Sequence, residues 1–197
     1  GGIGLNQQKP GELFYDNLMM GVNLLEESRK NNVEKFISLG TICSYPKFTP
    51  LPFKEENIWD GYPEDTNAPY GLAKKMLLVQ SNAYKDQYGF KSITVFPTNL
   101  YGPNDNFNDN SSHVIPALIK KIITAKKLNH DSITLWGDGT PTRDFLFVDD
   151  AAKGIILAAE KYEKTEPLNL GSGQEISIDS LAKLIMKIVN VSLKINW

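Results

Sequence analysis

What most constrains this chain is the alternation of short, closed apolar runs with long stretches of helical periodicity. Lys35-Phe36-Ile37-Ser38-Leu39-Gly40 and Ser92-Ile93-Thr94-Val95-Phe96 are too short for buried helices, and Gly40 and Pro97 close them. Runs of this kind suit strands buried in a parallel sheet. Leu13, Leu18, Val22 and Leu25 recur at helical spacing, which predicts a helix over 12–30 with Asn31-Asn32 as its stop. A second long helix is expected over 70–88, between the two strands, where a parallel pair needs its crossover. The fold class is therefore α/β with a mainly parallel sheet.

The rest of the chain continues the alternation. A Pro-rich stretch from Tyr45 to Pro69, with Pro46, Pro50, Pro52 and Pro63 between, is long enough to be a functional loop. Beyond a polar loop over 103–110, a helix is expected over 114–127. Strands are expected over 133–136 and 144–148, around the turn Gly137-Asp138-Gly139-Thr140-Pro141. A helix over 149–161, a short strand over 167–170, a helix over 179–190 and a strand over 193–197 complete the pattern. Asp149-Asp150 reads as an N-cap with a favourable dipole interaction. The loop after Tyr101 is where the sheet domain should give way to a smaller one, dividing the chain into 1–102 and 103–197.

Composition narrows the function. With 197 residues, 41% of them hydrophobic, the chain needs neither disulfides nor a structural metal to be stable. Its 21 Lys and Arg are interspersed among 23 Asp and Glu, so no basic face is available to track nucleic acid. One cysteine, Cys43, and two histidines, His113 and His130, cannot build a Cys/His zinc site, and no metal is expected. No apolar run reaches the roughly 20 residues of a membrane span, and a lone cysteine fits a reducing compartment, so a cytoplasmic protein is expected. The start at Gly1-Gly2-Ile3-Gly4, without Met, and the stop at Trp197 inside an expected strand suggest a piece of a larger protein. Neither Gly1-Gly2-Ile3-Gly4 nor Gly171-Ser172-Gly173 has the spacing of a phosphate loop.

Several residues could carry chemistry. Tyr70 and Lys74 are four apart in a helical stretch, hence on one face, where a lysine ammonium would lower the phenol pKa and make a proton donor for a carbonyl oxygen; the alternative is a solvated lysine beside a half-buried tyrosine. Thr41 and Cys43 follow the first strand, at the carboxyl end of the sheet where α/β folds bind ligands. A thiol there could move a proton next to a carbonyl, or be a small buried hydrophobe. His113 could be an acid partner to Cys43 or a helix-cap residue. Arg143 and Lys121 could hold a diphosphate or be solvated. Trp136 could stack on a nucleobase, or belong to the core.

Together, Thr41-Ile42-Cys43-Ser44-Tyr45-Pro46, Tyr70-x-x-x-Lys74, Pro97-Thr98-Asn99-Leu100-Tyr101-Gly102-Pro103, Asp105-Asn106-Phe107 and His113-Val114-Ile115-Pro116-Ala117-Leu118 resemble the extended short-chain dehydrogenase/reductase family. The stretch 17–23 and Trp136-Gly137-x-Gly139-Thr140-Pro141-x-Arg143 match as well. The resemblance implies part of a Rossmann-type parallel sheet with helices on its faces, plus part of a smaller C-terminal substrate-binding domain. It implies NADP(H) as cofactor, a GDP-sugar carrying a 4-keto group as substrate, and a homodimer formed through the helices over 12–30 and 70–88.

By the same resemblance Tyr70 is the catalytic acid, Lys74 its partner and ribose contact, and Thr41 the hydroxyl that is usually serine. Cys43 and His113 act as base and acid for epimerisation at the carbons flanking the ketone. Leu39, Gly40, Thr41, Ile42, Pro97, Thr98, Asn99, Leu100 and His113 line the nicotinamide end, and Lys121, Trp136 and Arg143 hold the GDP-sugar. The resemblance thus implies 3,5-epimerisation followed by NADPH-dependent reduction of the 4-keto group; a 4,6-dehydratase would place an acidic pair where Ile42 and Cys43 stand, and an NAD-dependent nucleotide-sugar 4-epimerase, which keeps Tyr70 and Lys74 but needs no thiol at 43, is the alternative among enzymes. The family's first strand and glycine-rich phosphate loop, and its C-terminal segment, have no counterpart in the chain, so a non-catalytic nucleotide-sugar-binding or assembly fragment is the alternative of another class. Lys121 stands where arginine is common.

Overall fold

The computed structural model describes residues 3–109, 111–164 and 166–197. In chain order the elements are α1 (Ile3–Gln8), α2 (Pro10–Lys30), β1 (Phe36–Leu39), α3 (Ala68–Tyr88), β2 (Ser92–Pro97), β3 (Asn99–Tyr101), α4 (Val114–Lys127), β4 (Ser132–Thr134), β5 (Thr142–Phe147), α5 (Val148–Lys161), β6 (Leu168–Leu170), β7 (Glu175–Ser177), α6 (Ile178–Ile188) and β8 (Lys194–Asn196). Short 3-10 turns lie at Ile42–Ser44 and Glu55–Trp59 inside the Pro-rich stretch. Gly1 and Gly2, and the last position of the polar loop over 103–110, fall outside the described residues.

The two long helices form where local chemistry favours them. Pro10 opens α2, Glu12 lies in its first turn and Arg29 and Lys30 in its last, each complementing the helix dipole. The chain leaves it through Asn32 at a positive φ of 54°, a conformation asparagine tolerates. α3 ends at Gly89, whose φ of 65° lets its N–H reach the Lys85 carbonyl while Phe90 N–H reaches Tyr84.

β2 is the centre of the first sheet. It pairs in parallel with β1, from Phe36↔Ser92 to Leu39↔Val95, and with β6, from Val95↔Leu168 to Pro97↔Leu170. All five residues from Ser92 to Phe96 are buried, as a strand covered on both faces must be. Alternate side chains choose the two sides: Ile93 and Val95 pack with Ala158 of α5, whereas Phe96 packs with Leu78 of α3, Tyr45 and Ile58. Ser38 and Thr94, both buried, satisfy each other through a 2.8 Å hydroxyl pair across the strands. The expectation of a buried first strand needs correction, because of β1 only Ser38 is fully buried and Leu39 is 42% exposed at the carboxyl edge.

A second core joins α4, β4, α6 and β8. Leu118, Ile122, Ile133, Leu135, Leu181, Ile185, Met186 and Leu193 form it, and β4 and β8 pair in parallel from Ser132↔Lys194 to Thr134↔Asn196. Between the two cores, β3 pairs in parallel with β5, and β5 antiparallel with β7. β3 and β7 are three residues each, too short to leave a periodic signal. Asp149 and Asp150 occupy the first turn of α5, but Phe147 is its N-cap and no side chain caps it. The dipole reading of these residues holds and the capping one does not, because the helix begins at Val148 and leaves both carboxylates inside it.

Phe96 ties β2, α3 and the Pro-rich loop together at zero exposure. Phe96→Ala should lower the unfolding free energy by about 3–5 kcal/mol, measured by urea denaturation of the purified protein.

Candidate active site

The ladder between β1 and β2 runs one residue past β1, since Gly40 N–H donates to the Val95 carbonyl at 2.8 Å. A side chain at Gly40 would meet the Phe96 ring at 2.6 Å. The backbone lies flat against that ring and delivers Thr41 to the carboxyl end of the sheet. There Thr41 turns the chain: its Oγ1 accepts from Cys43 N–H at 3.3 Å and caps the Ile42–Ser44 turn. Ser44 Oγ then donates to the Gly71 carbonyl at 2.8 Å.

α3 rests directly on this turn. A Cβ at position 71 would collide with the backbone carbonyl oxygen of Cys43, so only glycine permits the approach. The contact sets the preceding residue, Tyr70, against the turn, where the Thr41 hydroxyl hydrogen-bonds its phenol and Cys43 is close enough to interact with its charge. The Cys43 sulfur also accepts from Asn67 Nδ2 at 3.3 Å. Thr41, Cys43 and Tyr70, predicted from separate stretches, are thus brought together; Asn67 and Gly71 join them without having been anticipated. Each lies within three residues of Tyr70 beside a proline-bearing helix start, the one sequence signal that could have marked them.

The electrostatics differ from expectation. Burial pushes the Tyr70 phenol above its ordinary value of 10, Cys43 adds to the rise, and the Thr41 hydroxyl opposes it. Lys74, one turn on, is not among the groups acting on the phenol, and burial lowers its own pKa. The expected lowering by Lys74 is therefore corrected: burial penalises the phenolate, and Lys74 is not among the groups that offset the penalty. Tyr70 consequently keeps its proton across neutral pH, as a proton donor must. Lys74 makes no hydrogen bond or ion pair among the described residues. A half-buried ammonium with unspent donors fits a ligand that brings hydroxyl acceptors, such as a nucleotide ribose.

The segment Pro97, Thr98, Asn99 and Leu100 is held by Asp144. Thr98 N–H donates to the Leu170 carbonyl at 2.9 Å, Thr98 Oγ1 to Asp144 Oδ1 at 3.4 Å, and Asn99 Nδ2 to the Asp144 carbonyl at 2.9 Å. The same carboxylate accepts from Ser172 N–H at 3.0 Å, Ser172 Oγ at 2.7 Å and Gly173 N–H at 3.0 Å. Gly171-Ser172-Gly173, rejected as a phosphate loop, instead cradles this internal anion.

The remaining predicted residues make no hydrogen bond to Thr41, Cys43 or Tyr70 among the described residues. His113 is exposed as the N-cap of α4, without a side-chain capping bond and with no hydrogen bond to Cys43. Lys121, on α4, donates from Nζ to the Thr134 carbonyl at 3.0 Å, beside the strand that leads to Trp136. Trp136 is 92% exposed, which overturns its reading as a core residue and leaves its ring free to stack. Arg143, exposed at the start of β5, donates to the neighbouring Thr142 carbonyl at 2.7 Å. The cavity of about 150 Å³ lined by 46–50, 57 and 60–62 contains none of the predicted residues.

A parallel sheet between helices, with a hydroxyl, a tyrosine and a lysine gathered at its carboxyl end, defines a Rossmann-type scaffold of the dehydrogenase/reductase kind. The NAD dependent epimerase/dehydratase family model matches residues 1–171, and the chain belongs to that family. It is 44% identical over 189 residues to a GDP-L-fucose synthase of Sinorhizobium fredii, covering 96% of this chain and 60% of that protein. To the GDP-L-fucose synthase of Escherichia coli it is 40% identical over 198 residues, covering 96% of this chain and 62% of that protein. A GDP-L-fucose synthetase from Naegleria fowleri bound to NADP superposes with a TM-score of 0.85 at 32% identity, covering 91% of this chain and 58% of that one. The chain thus spans about three fifths of the length of the curated relatives it matches.

Gly71→Ala should push α3 off the Thr41–Ser44 turn. A loss of about 1–3 kcal/mol of stability is expected, read by thermal denaturation together with faster alkylation of Cys43, since the turn that shields it moves; an unchanged melting temperature and unchanged alkylation would contradict the close contact.

Proposed function

We propose that the full protein takes a GDP-4-keto-6-deoxy-hexose, epimerises the two carbons flanking its ketone, and reduces the ketone with NADPH to give GDP-L-fucose. The observation that carries this reading is the close seating of Gly71, the neighbour of Tyr70, on the Cys43 carbonyl, with the Cys43 sulfur bonded to Asn67 three residues before that tyrosine, which brings a thiol and a phenol to one end of the sheet. Reduction alone needs only the phenol; a second proton-moving group next to it serves epimerisation. The names of the relatives support the same substrate, and the NADP bound in the Naegleria structure supports the cofactor.

Tyr70, protonated at neutral pH, donates to the ketone oxygen and so stabilises an enolate when a neighbouring carbon loses its hydrogen. Cys43 as thiolate takes that hydrogen as a proton, the bond's electron pair passing into the enolate, and His113 returns a proton to the opposite face of the carbon. One ketone acidifies both flanking carbons, so one pocket serves both epimerisations. NADPH, when bound, would supply the hydride that reduces the ketone. Lys74 would hold its ribose, Leu39, Gly40, Thr41, Ile42 and the Pro97–Leu100 segment would line the nicotinamide end, and Asp144 bonds to Thr98 and Asn99 of that segment. Trp136 stacks on the guanine, and Lys121 and Arg143 bind the diphosphate. Residues 1–102 then belong to the cofactor domain and 103–197 mostly to the sugar-nucleotide domain. A free thiol that must stay reduced to act as base suits a reducing compartment, and the cytoplasm is the location we propose.

A second copy of the chain is the proposed partner. Tyr15, Met19, Met20 and Leu24 of α2 and Val79 and Tyr88 of α3 are exposed apolar side chains on two helices that pack against each other. Pairing these helices with their counterparts would cover them in a four-helix bundle.

In the full protein, Cys43→Ser should stop exchange of substrate hydrogens with deuterated water while sparing reduction of a ketone already epimerised. Tyr70→Phe should slow reduction by about 10²–10⁴. Retention of exchange in Cys43→Ser would remove the thiol from the reaction and favour a simple 4-epimerase or reductase. For the dimer, Met20→Glu combined with Leu24→Glu should convert a two-subunit species into monomers in sedimentation at micromolar concentration; a wild-type protein that sediments as a monomer would end that proposal.

A further inference from the structure

Asn67 has two properties that the reaction outlined above does not use. Its Nδ2 lies 3.3 Å from the Cys43 sulfur, and its Oδ1 is buried with no hydrogen-bond partner. It stands at the N-cap of α3, where asparagine ordinarily spends its side chain on the helix N–H groups, yet no capping bond is made. The backbone of Asn67 is fixed independently of the side chain, because Asn67 N–H donates to Glu64 at 3.1 Å and the Asn67 carbonyl accepts from Gly71 at 2.9 Å. The side chain is therefore anchored at its backbone, relieved of its usual duty, and committed to sulfur by one end of its amide only.

An amide differs from the other groups that could occupy this place. Through Nδ2 it donates to a thiolate, and turned over about its last torsion it accepts an S–H proton on Oδ1. A carboxylate can accept but not donate, and a methyl group does neither. A base that takes a proton from carbon passes through both protonation states in each turnover, so a partner complementary to both is what the chemistry asks for. The unpartnered Oδ1 is the structural mark of this arrangement: no third group pins the amide in one orientation.

We propose that Asn67 is a positioning residue for Cys43, aiming the sulfur and matching its two protonation states by presenting either end of its side-chain amide. The inference rests on the role of Cys43 proposed above. It adds that the residue three before the catalytic tyrosine sets the reactivity of the base, and it assigns Asn67 no contact with substrate. The other titratable group that interacts with Cys43 is Tyr70; it and Lys74, one helical turn further along α3, are left unchanged in the test.

The rate of iodoacetamide alkylation of Cys43, read against pH by mass spectrometry on the peptide spanning 36–47, tests this in the protein as its gene encodes it. Asn67→Asp keeps the shape but loses the donor and adds a negative charge, so alkylation at pH 7 should slow by about tenfold, with the midpoint of the pH profile displaced upward. Asn67→Ala should displace it in the same direction by less. The pH profile of substrate-hydrogen exchange should move with the alkylation profile. Superimposable alkylation profiles in all three proteins would overturn the proposal, and the isosteric Asn67→Asp keeps that outcome readable if Asn67→Ala fails to fold. Displaced alkylation profiles without substrate exchange in any of the proteins would leave the amide's hold on Cys43 standing and refute the epimerase reading instead.

Discussion

The site depends on one close approach, the seating of α3 on the Thr41–Ser44 turn at Gly71. No side chain fits between the helix and the Cys43 carbonyl, so backbone meets backbone, and Ser44 locks the contact through the Gly71 carbonyl. The tyrosine, the threonine and the cysteine are placed by this single junction rather than by separate devices. The sheet provides its footing: Gly40 lies against Phe96, which is itself buried between β2, α3 and the Pro-rich loop. A rigid core strand thus ends at the point where the chemistry is proposed, which is how a loop residue can be held to the accuracy catalysis needs.

A second constraint is electrostatic. Asp144 gathers donors from Ser172, Gly173 and Thr98, and its own carbonyl accepts from Asn99. It thereby joins the segment after β2, the turn after β6 and the strand that carries Arg143. Charge-assisted bonds to a carboxylate are among the stronger hydrogen bonds available, so the wall proposed for the nicotinamide and the arm proposed for the diphosphate are fixed relative to each other. The Pro-rich loop is secured in a comparable way. Lys75 donates to the Ile58 carbonyl and lies 4.4 Å from the Trp59 ring centroid, while Asn169 bonds Tyr45, Phe53 and Glu55.

Much of the architecture was legible. The helices over 12–30, 70–88 and 114–127 and the strand over 92–96 show themselves through periodicity, caps and β-branched runs, signals that local sequence carries. β3 and β7 were not legible, because three-residue strands are defined by their partners and not by a pattern of their own. The exposure of Trp136 and Leu39 ran against residue type, since burial is decided by what packs opposite. Of the site, Thr41, Cys43 and Tyr70 could be named from their positions after a strand and inside a helix, whereas the roles of Asn67, Gly71 and Asp144 lie in contacts to residues 24, 28 and more positions away.

The sequence by itself determined the α/β class, the order of the main elements, the absence of any basic face and the identity of the polar groups available for chemistry, because these follow from composition and from 2.0- and 3.6-residue periods. Only the tertiary structure decided which of those groups meet. It also decided the sign of the Tyr70 shift: spacing alone suggested that Lys74 would lower it, but the phenol is buried against Thr41 and Cys43, and the cost of placing charge there exceeds any help from a lysine one turn away. Desolvation is a property of the packed surroundings, and no linear pattern of residues contains it.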